Sequence, residues 1–179
     1  MNKIKYQILL LIIVSFLFSC ATNNSKDSGG DCYFDKQIGF SICLPETWQV
    51  PETWQELENL KYKALIVTLE DNYKPMVMFV EEKSTNEFND YVDANIKNLK
   101  KQFDGIQIQQ SDFITAKNLK GKKLLTTLSQ NGRTIRIIHY LFPGNNGYHL
   151  GISCGVGAEA GDKYDKLFDR TLKTFEWPN

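Results

Sequence analysis

Two long apolar-rich runs flank the pair Asn131-Gly132, and this arrangement constrains the fold more than any other feature of the sequence. The runs occupy residues 122–130 and 133–142. An Asn-Gly pair between such runs is typical of a two-residue hairpin turn, because both residues accept a positive φ. A third run, residues 148–154, follows after a short turn that contains Pro and Gly. The sequence therefore predicts a three-stranded antiparallel meander in its second half.

The first apolar segment after the N-terminal region has the pattern of a short hairpin with a cysteine at each end. If Asp35 lies opposite Phe40, then Cys32 lies opposite Cys43, because both pairs belong to one register. A disulfide between Cys32 and Cys43 is one outcome of this arrangement. The alternatives are two unpaired thiols, or a bond from either cysteine to Cys154.

Further strands are predicted on both sides of this meander. Residues 64–69 and 75–80 alternate apolar side chains and form a second hairpin pattern. Because apolar residues occupy both faces of 75–80, we expect a central strand that is covered on both sides. Segments 106–108 and 112–116 have the pattern of two short edge strands.

Two amphipathic helices complete the pattern. Segment 84–103 carries one apolar stripe at spacings of three and four residues, and Ser84 with Glu87 has the spacing of a capping box. Segment 162–177 carries a second apolar stripe and closes the chain. Strands and helices in this order predict an α+β domain built on an antiparallel sheet.

The N-terminus predicts where the protein resides. Segment 1–19 has a basic start, an apolar centre and a small residue before Cys20, which is the layout of a secretory signal. Residues 17–20, Leu-Phe-Ser-Cys, resemble a bacterial lipobox, whose cysteine receives a diacylglycerol and becomes the first residue of the mature chain. We predict a lipid anchor in the bacterial cell envelope, on the periplasmic or surface side, rather than plain secretion or an uncleaved anchor. Segment 20–31 would be the lipidated cysteine and a flexible tether, and 32–179 a single domain.

The charge balance argues against a nucleic-acid partner. The chain has 21 Lys and Arg residues against 21 Asp and Glu residues, so its formal net charge is zero. Such a chain has no basic field that would attract a polyanion. Attachment to the membrane would instead come from acyl chains, which contribute about 0.8 kcal/mol for each buried CH₂ group.

Few side chains are placed for chemistry. His139 and His149 are the only histidines and lie in neighbouring predicted strands, where they could face each other and begin a zinc site. No third ligand is placed by spacing, and Cys154 has no identifiable base or oxyanion donor. The glycines of 155–161 resemble a dinucleotide loop but lack the parallel strand that such a loop needs. We therefore predict no cofactor, no metal and no catalytic residue.

A tandem repeat, PETWQV followed by PETWQE, contains two tryptophans, Trp48 and Trp54. We expect Trp48 to pack on the core where a strand leaves it. Trp54 could be an exposed contact for a protein partner, because tryptophan is enriched at interface hot spots. The alternative is a local duplication whose second tryptophan covers the edge of the core. The loop from Trp48 to Trp54 is the candidate partner-contact surface.

The segment GFSICLP at 39–45, followed by Trp48, resembles the opening of PsbP-like proteins. The helix start at 84–88 and the final segment FDRTLKTF at 168–175 are similar to that family too. Its members include an extrinsic photosystem II subunit, a yeast Ran-binding Mog protein and bacterial lipoproteins. The resemblance spans about residues 33–177 and implies an antiparallel sheet sandwiched between helices. It implies no catalytic residues, and the repeat that contains Trp54 departs from the family pattern.

These features together predict a lipid-anchored, non-enzymatic module that docks a protein partner. The second interpretation is a small-ligand or metal carrier, which would use a pocket between sheet and helix or the two histidines. An enzyme is the third interpretation, and it would need a cleft in which a histidine meets a nucleophile.

The lipid anchor predicts that Cys20→Ser abolishes acylation, because an acyl-transfer pathway of this kind requires the thiol. Metabolic labelling with an alkyne fatty acid should mark the wild-type chain, and mass spectrometry should find the lipid on the peptide that begins at Cys20. Ser28→Ala, a small polar change in the predicted tether, is the matched control and should label like the wild type. An unlabelled wild-type chain would exclude the anchor.

Overall fold

The computed structural model describes most of the chain from Cys32 to Trp177, and the predicted signal segment and tether lie outside it. The described ranges are 32–45, 48–50, 55–57, 60–67, 76–130, 133–144 and 147–177. Within these ranges no helix is long and apolar enough to cross a membrane.

Ten strands lie within the described residues. They are β1 (Tyr33–Asp35), β2 (Phe40–Ile42), β3 (Trp48–Gln49), β4 (Gln55–Leu57), β5 (Leu60–Val67), β6 (Met76–Lys83), β7 (Gln107–Ile114), β8 (Lys120–Gln130), β9 (Arg133–Pro143) and β10 (Tyr148–Gly157). Strands β1 and β2 form a separate hairpin. The other strands form one sheet in the order β3-β5-β6-β10-β9-β8-β7, with β4 also paired to β5, and every pairing is antiparallel.

The predicted meander is confirmed. Strands β8 and β9 pair from Gln130 opposite Arg133, directly beside the Asn-Gly pair, and β9 continues into β10. Strand β10 also pairs with β6, so it joins the second half of the sheet to the first half. The prediction of a central strand covered on both sides is confirmed for β6, because Val77, Met78, Phe79 and Val80 are all buried.

The sheet is covered by a helix on each face. Helix α1 (Phe88–Gln102) places Tyr91 and Val92 against Leu124 and Leu141. Helix α2 (Asp165–Leu172) lies on the opposite face, because Phe168 and Leu172 pack with residues of the alternate parity in β9 and β10. The hairpin of β1 and β2 shares this second face, where Phe40 and Ile42 are fully buried. The predicted α+β fold with an antiparallel sheet between helices is confirmed.

The predicted start of the first helix is wrong. Helix α1 begins at Phe88, and Glu87 precedes it without a side-chain capping bond. The backbone N–H of Ser84 instead donates to the carbonyl of Gly147 at 2.8 Å, and the Ser84 hydroxyl accepts from the N–H of Asn86 at 3.2 Å. Ser84 therefore belongs to the end of the sheet, because a tertiary backbone bond there replaces the local capping interaction.

The predicted end of the chain as a helix to residue 177 is wrong as well. Helix α2 ends at Leu172, and the segment after it turns back towards the β1-β2 hairpin. Ser41 and Glu176 exchange two backbone hydrogen bonds, of 2.9 and 3.0 Å. The apolar stripe continues past the helix because Phe175 is fully buried against Phe40 and Phe142. Burial alone thus gave a helical pattern to residues that form a turn and a single β-bridge.

One continuous edge strand replaces the two short strands that we expected after α1. Strand β7 runs unbroken for 8 residues and pairs along its whole length with β8. Its polar centre, which suggested an interruption, is exposed on both faces. The strand continues there because its backbone forms hydrogen bonds with β8, and these bonds do not depend on side-chain polarity.

The register predicted for the first hairpin is confirmed, since Asp35 lies opposite Phe40. The same register places Cys32 opposite Cys43 at the open end of the hairpin, and the two cysteines form a disulfide. The buried Asp35 carboxylate organises the turn by accepting from the N–H groups of Gln37 and Ile38 at 3.0 and 2.9 Å. The hairpin is thus closed by a covalent bond at its open end and by an acceptor at its turn.

Loss of this disulfide should destabilise the domain. The bond closes a loop with a sequence separation of 11 residues, and the entropy of such a loop corresponds to roughly 3 kcal/mol of unfolding free energy. We expect the double variant Cys32→Ala/Cys43→Ala to lower the free energy of unfolding in urea by about that amount. Reductant should lower the wild type to the same level and leave the double variant unchanged. A wild-type midpoint that reductant does not move would contradict a structural role for the bond.

Candidate functional site

His139 lies in the middle of β9 and is held by polar groups from both neighbouring strands. Its Nδ1 lies 2.8 Å from the hydroxyl of Ser153 in β10, and its Nε2 lies 3.4 Å from the hydroxyl of Thr126 in β8. The Thr126 hydroxyl donates to the carbonyl of Ile137 at 3.1 Å, so it is free to accept from the ring. Burial lowers the pKa of His139 to about 4. The ring is therefore a neutral connector of three strands at neutral pH.

His149 lies near the end of the sheet under the first turn of α1. Its ring packs against Tyr91, with ring centroids 4.4 Å apart, and its Nε2 donates to the carbonyl of Asn86 at 3.0 Å. Its Nδ1 is buried and has no hydrogen-bond partner among the described residues. Glu82 lies directly opposite in β6. Burial raises the pKa of Glu82, and a hydrogen bond from Tyr91 and the proximity of His149 oppose that rise.

The two histidines do not face each other, so their spacing does not bring them together as the start of a zinc site. Both point to the α1 side of the sheet, but His139 lies opposite Ser153, four residues along β10 from His149. That offset separates them by about 13 Å along the strand. Among the described residues no three His, Cys, Asp or Glu side chains are close enough together to hold a metal ion.

A second polar cluster fastens α2 to the other face of the sheet. The hydroxyl of Tyr140 donates to Asp169 at 2.6 Å, and Lys123 donates to both carboxylate oxygens of Asp169 at 2.6 and 2.8 Å. One turn earlier, Arg136 donates to Asp165 through two nitrogens, at 3.3 and 2.5 Å. Both carboxylates of α2 therefore bind a cation of the strands beneath, and Asp169 also binds a hydroxyl.

Cys154 lies under this second cluster and is the free cysteine of the described residues. Burial raises the pKa of its thiol, the charge of Asp169 adds to that rise, and Lys123 opposes it. A thiol with a raised pKa stays protonated at neutral pH, and a protonated thiol is a poor nucleophile. The geometry therefore assigns Cys154 to the core, where it packs with Ile138 and Ile152.

Of the two tryptophans proposed as partner contacts, the structure describes one. Trp48 is 6% exposed, and its ring packs against Phe168 of α2 at a centroid distance of 6.2 Å. Trp48 therefore packs on the core, as expected. A buried indole cannot reach a partner, so Trp48 is not a contact residue. Trp54 lies outside the described residues, so its proposed role stays a prediction.

Among the residues that the structure describes, Phe34 and Ile114 are large apolar side chains that are exposed. Phe34 is 48% exposed on β1, and Ile114 is 51% exposed at the end of β7. The short edge strand predicted at 112–116 was given no inward or outward face, so the exposure of Ile114 was not predicted. The alternation within β7 was the available signal, since Phe113 is buried and its neighbour must then point to the other face.

Comparison with solved structures identifies the class of fold: the chain has a PsbP-like fold. PA94 of Pseudomonas aeruginosa, a protein of unknown function, aligns with a TM-score of 0.60 at 13% identity over 83% of this chain and 96% of PA94. The cyanobacterial PsbP of Synechocystis sp. PCC 6803 aligns with a TM-score of 0.54 at 14% identity, over 87% of this chain and 98% of its own.

A protein of Bacteroides thetaiotaomicron aligns with a TM-score of 0.53 at 12% identity, and this chain spans 50% of its length. No family model matches the sequence, and no curated protein matches it. At these identities the similarity defines the fold alone.

The partly buried, neutral His139 predicts that the stability of the domain falls in acid. Its folded pKa of about 4 lies below the value of 6.5 for an exposed histidine, so the unfolded chain binds the proton first as the pH drops. The contribution of neutral His139 to the free energy of unfolding is therefore present above pH 6.5 and is lost as the pH falls from 6.5 to 4. Between pH 7 and pH 5 the loss amounts to about 2 kcal/mol.

The variant His139→Asn keeps an acceptor for Ser153 but does not titrate. Urea unfolding at pH 7 and pH 5 should show a smaller loss of stability for His139→Asn than for the wild type, by about 2 kcal/mol. Equal losses in the two proteins would show that His139 is not held neutral.

Proposed function

We propose that this protein is a lipid-anchored, non-enzymatic docking module of the bacterial cell envelope. The observation that carries the proposal is the order of three parts along the chain. A lipobox-like sequence ends at Cys20, a polar tether follows, and a PsbP-like domain occupies the rest. An acylated terminus followed by a tether holds a folded domain at a membrane surface and leaves the domain free to bind.

The polar groups of the domain support a binding role over a catalytic one. His139, Asp169 and Arg136 are each satisfied by partners that connect strands to one another or to α2. Cys154 is buried with a raised thiol pKa. These groups stabilise the fold, whereas a catalytic group would be directed at a cleft where substrate binds.

The proposed contact surface is the loop that contains Trp54. The repeat gives the chain two copies of the same local sequence, and the first copy places Trp48 in the core. The second copy, PETWQE, then supplies a tryptophan beyond what that core contact requires. Large aromatic side chains dominate the energy of protein interfaces, so Trp54 is the residue on which we centre the interface.

A small-ligand carrier is the second candidate, favoured by the polar pair under α1. The Nδ1 of His149 is buried without a described partner, and Glu82 lies opposite with a raised pKa. A ligand with a hydrogen-bond donor would satisfy the ring nitrogen. Native mass spectrometry of the purified full-length chain would detect such a ligand as a fixed added mass, and the added mass should fall in the variant His149→Phe.

Partner capture should depend on Trp54. The full-length tagged chain is crosslinked in its own cell envelope, and the recovered proteins are quantified for the wild type, Trp54→Ala and the aromatic control Trp54→Phe. We expect Trp54→Ala to lower recovery of a specific partner about tenfold or more, which corresponds to a loss of at least about 1.4 kcal/mol. The phenylalanine control should retain most of the binding. Equal recovery in all three proteins, or no specific partner, would contradict the docking role of this loop.

A further inference from the structure

We propose that strand β7 (Gln107–Ile114) pairs with β7 of a second copy of this chain, antiparallel and with Ser111 opposite Ser111. The pairing joins two domains into one continuous sheet about a two-fold axis. It rests on the geometry of the sheet edge and does not depend on the docking function proposed for Trp54.

The turn after β7 fixes which backbone groups point outwards. The N–H of Thr115 donates to Leu119 at 3.1 Å, and its carbonyl accepts from Asn118 at 3.0 Å. Asn118 has φ 63°, the left-handed conformation that this three-residue turn requires. Thr115 and Leu119 form a hydrogen-bonded pair, and such pairs recur at every second residue of an antiparallel ladder. The backbone groups of residues 107, 109, 111 and 113 therefore bond inwards to β8. The backbone groups of Ile108, Gln110, Asp112 and Ile114 therefore point away from the sheet.

This outer edge is open in the part of the chain that the structure describes. Strand β7 pairs with β8 and with no other described strand. Gln109, Gln110, Ser111 and Asp112 are exposed, and Ile114 is 51% exposed.

The edge also lacks the protections that keep edge strands apart. Natural edges carry lysines, prolines or bulges that prevent pairing. Strand β7 contains no proline and no lysine, and its pairing with β8 runs without a bulge from residue 107 to residue 114. Its one charged residue, Asp112, is already bound by Lys122 of β8 at 2.6 Å. An 8-residue edge of this kind is a ready template for another strand.

The side chains of β7 complement a second copy of the same strand in one register. A residue whose backbone groups point outwards must lie opposite another such residue of the second copy. This condition leaves three two-fold registers in which the two β7 strands overlap over most of their length. Placing Asp112 opposite Asp112 sets two carboxylates together and is unfavourable. Placing Gln110 opposite Gln110 sets Ile108 against Asp112 and leaves Ile114 without a strand partner.

The third register, with Ser111 opposite Ser111, satisfies each outward residue. Ile108 lies opposite Ile114 of the other copy, so the exposed isoleucine gains an apolar neighbour on the same face. Gln110 lies opposite Asp112, where an amide N–H can donate to the carboxylate. Four outward residues from each copy together supply about eight backbone hydrogen bonds. This self-complementarity identifies the occupant as a second copy of the chain.

Cysteine crosslinking distinguishes this register from chance contact. In the proposed dimer the two Ser111 residues form a non-hydrogen-bonded pair with Cα atoms about 4.5 Å apart, within the range of a disulfide. The matched control is Gln109→Cys, which is exposed on the same face of β7. Its two copies would lie about 14 Å apart and could not be joined.

Each variant is made in the full-length chain, expressed in the bacterial envelope and oxidised in isolated membranes. On a non-reducing gel we expect Ser111→Cys to give at least tenfold more dimer than Gln109→Cys. Equal crosslinking of the two variants, or none in either, would overturn the proposal.

A second variant separates pairing from folding. Gln110→Pro removes an outward N–H and leaves the bonds to β8 in place, so the domain should stay folded. We expect the detergent-purified wild type to sediment as a dimer and Gln110→Pro as a monomer with a similar thermal midpoint. A wild type that is monomeric, or that binds a different protein along β7 in place of itself, overturns self-pairing.

Discussion

The double pairing of strand β10 is the interaction on which the rest of the structure depends. Strand β10 bonds to β9 along one edge and to β6 along the other, and residues 149–156 are all buried. Without it the described sheet would separate into β3-β5-β6 and β7-β8-β9. Its two faces also supply both cores, since Leu150, Ile152 and Cys154 face α2 while His149 and Ser153 face α1. One strand thus sets the order of the sheet and the position of both helices.

Burial of this strand explains why its polar side chain Ser153 is paired with a neighbouring strand. A polar group inside a sheet must find a partner or remain at a cost of roughly 1–3 kcal/mol. Ser153 forms a hydrogen bond with His139. On the neighbouring strand, the hydroxyl of Tyr140 donates to Asp169. The partners come from strands and helices distant in sequence, so each bond also fixes the packing. The chemistry of these residues is used to stabilise the native arrangement.

The sequence predicted local pairing well and predicted termini and remote registers poorly. The Asn131-Gly132 hairpin and the Asp35–Phe40 pair follow from residues close in the chain, whose turns fix them. The start of α1 at Ser84 failed because the carbonyl of Gly147, 63 positions away, binds that backbone N–H. Whether His139 and His149 face each other was left open by the sequence, because alternation of apolar residues does not encode the register between β9 and β10, which places Pro143 opposite His149. The edge position of β7 was predicted, but its continuity was not, because the backbone pairing with β8 that carries the strand through residues 109–111 is not visible in a sequence.

The self-pairing proposed for β7 is geometrically compatible with two anchored copies. Antiparallel pairing of identical strands places the two-fold axis perpendicular to the sheet, so each face of one copy continues into the same face of the other. The β1-β2 hairpin, which begins next to Cys32, lies on the α2 face. In the dimer both copies therefore present Cys32, and with it the start of the predicted tether, on the same side. Two lipids can then enter one membrane, and confinement to that membrane raises the effective concentration of each edge for the other. Confinement of this kind favours the dimer further at the surface to which the N-terminus is predicted to hold it.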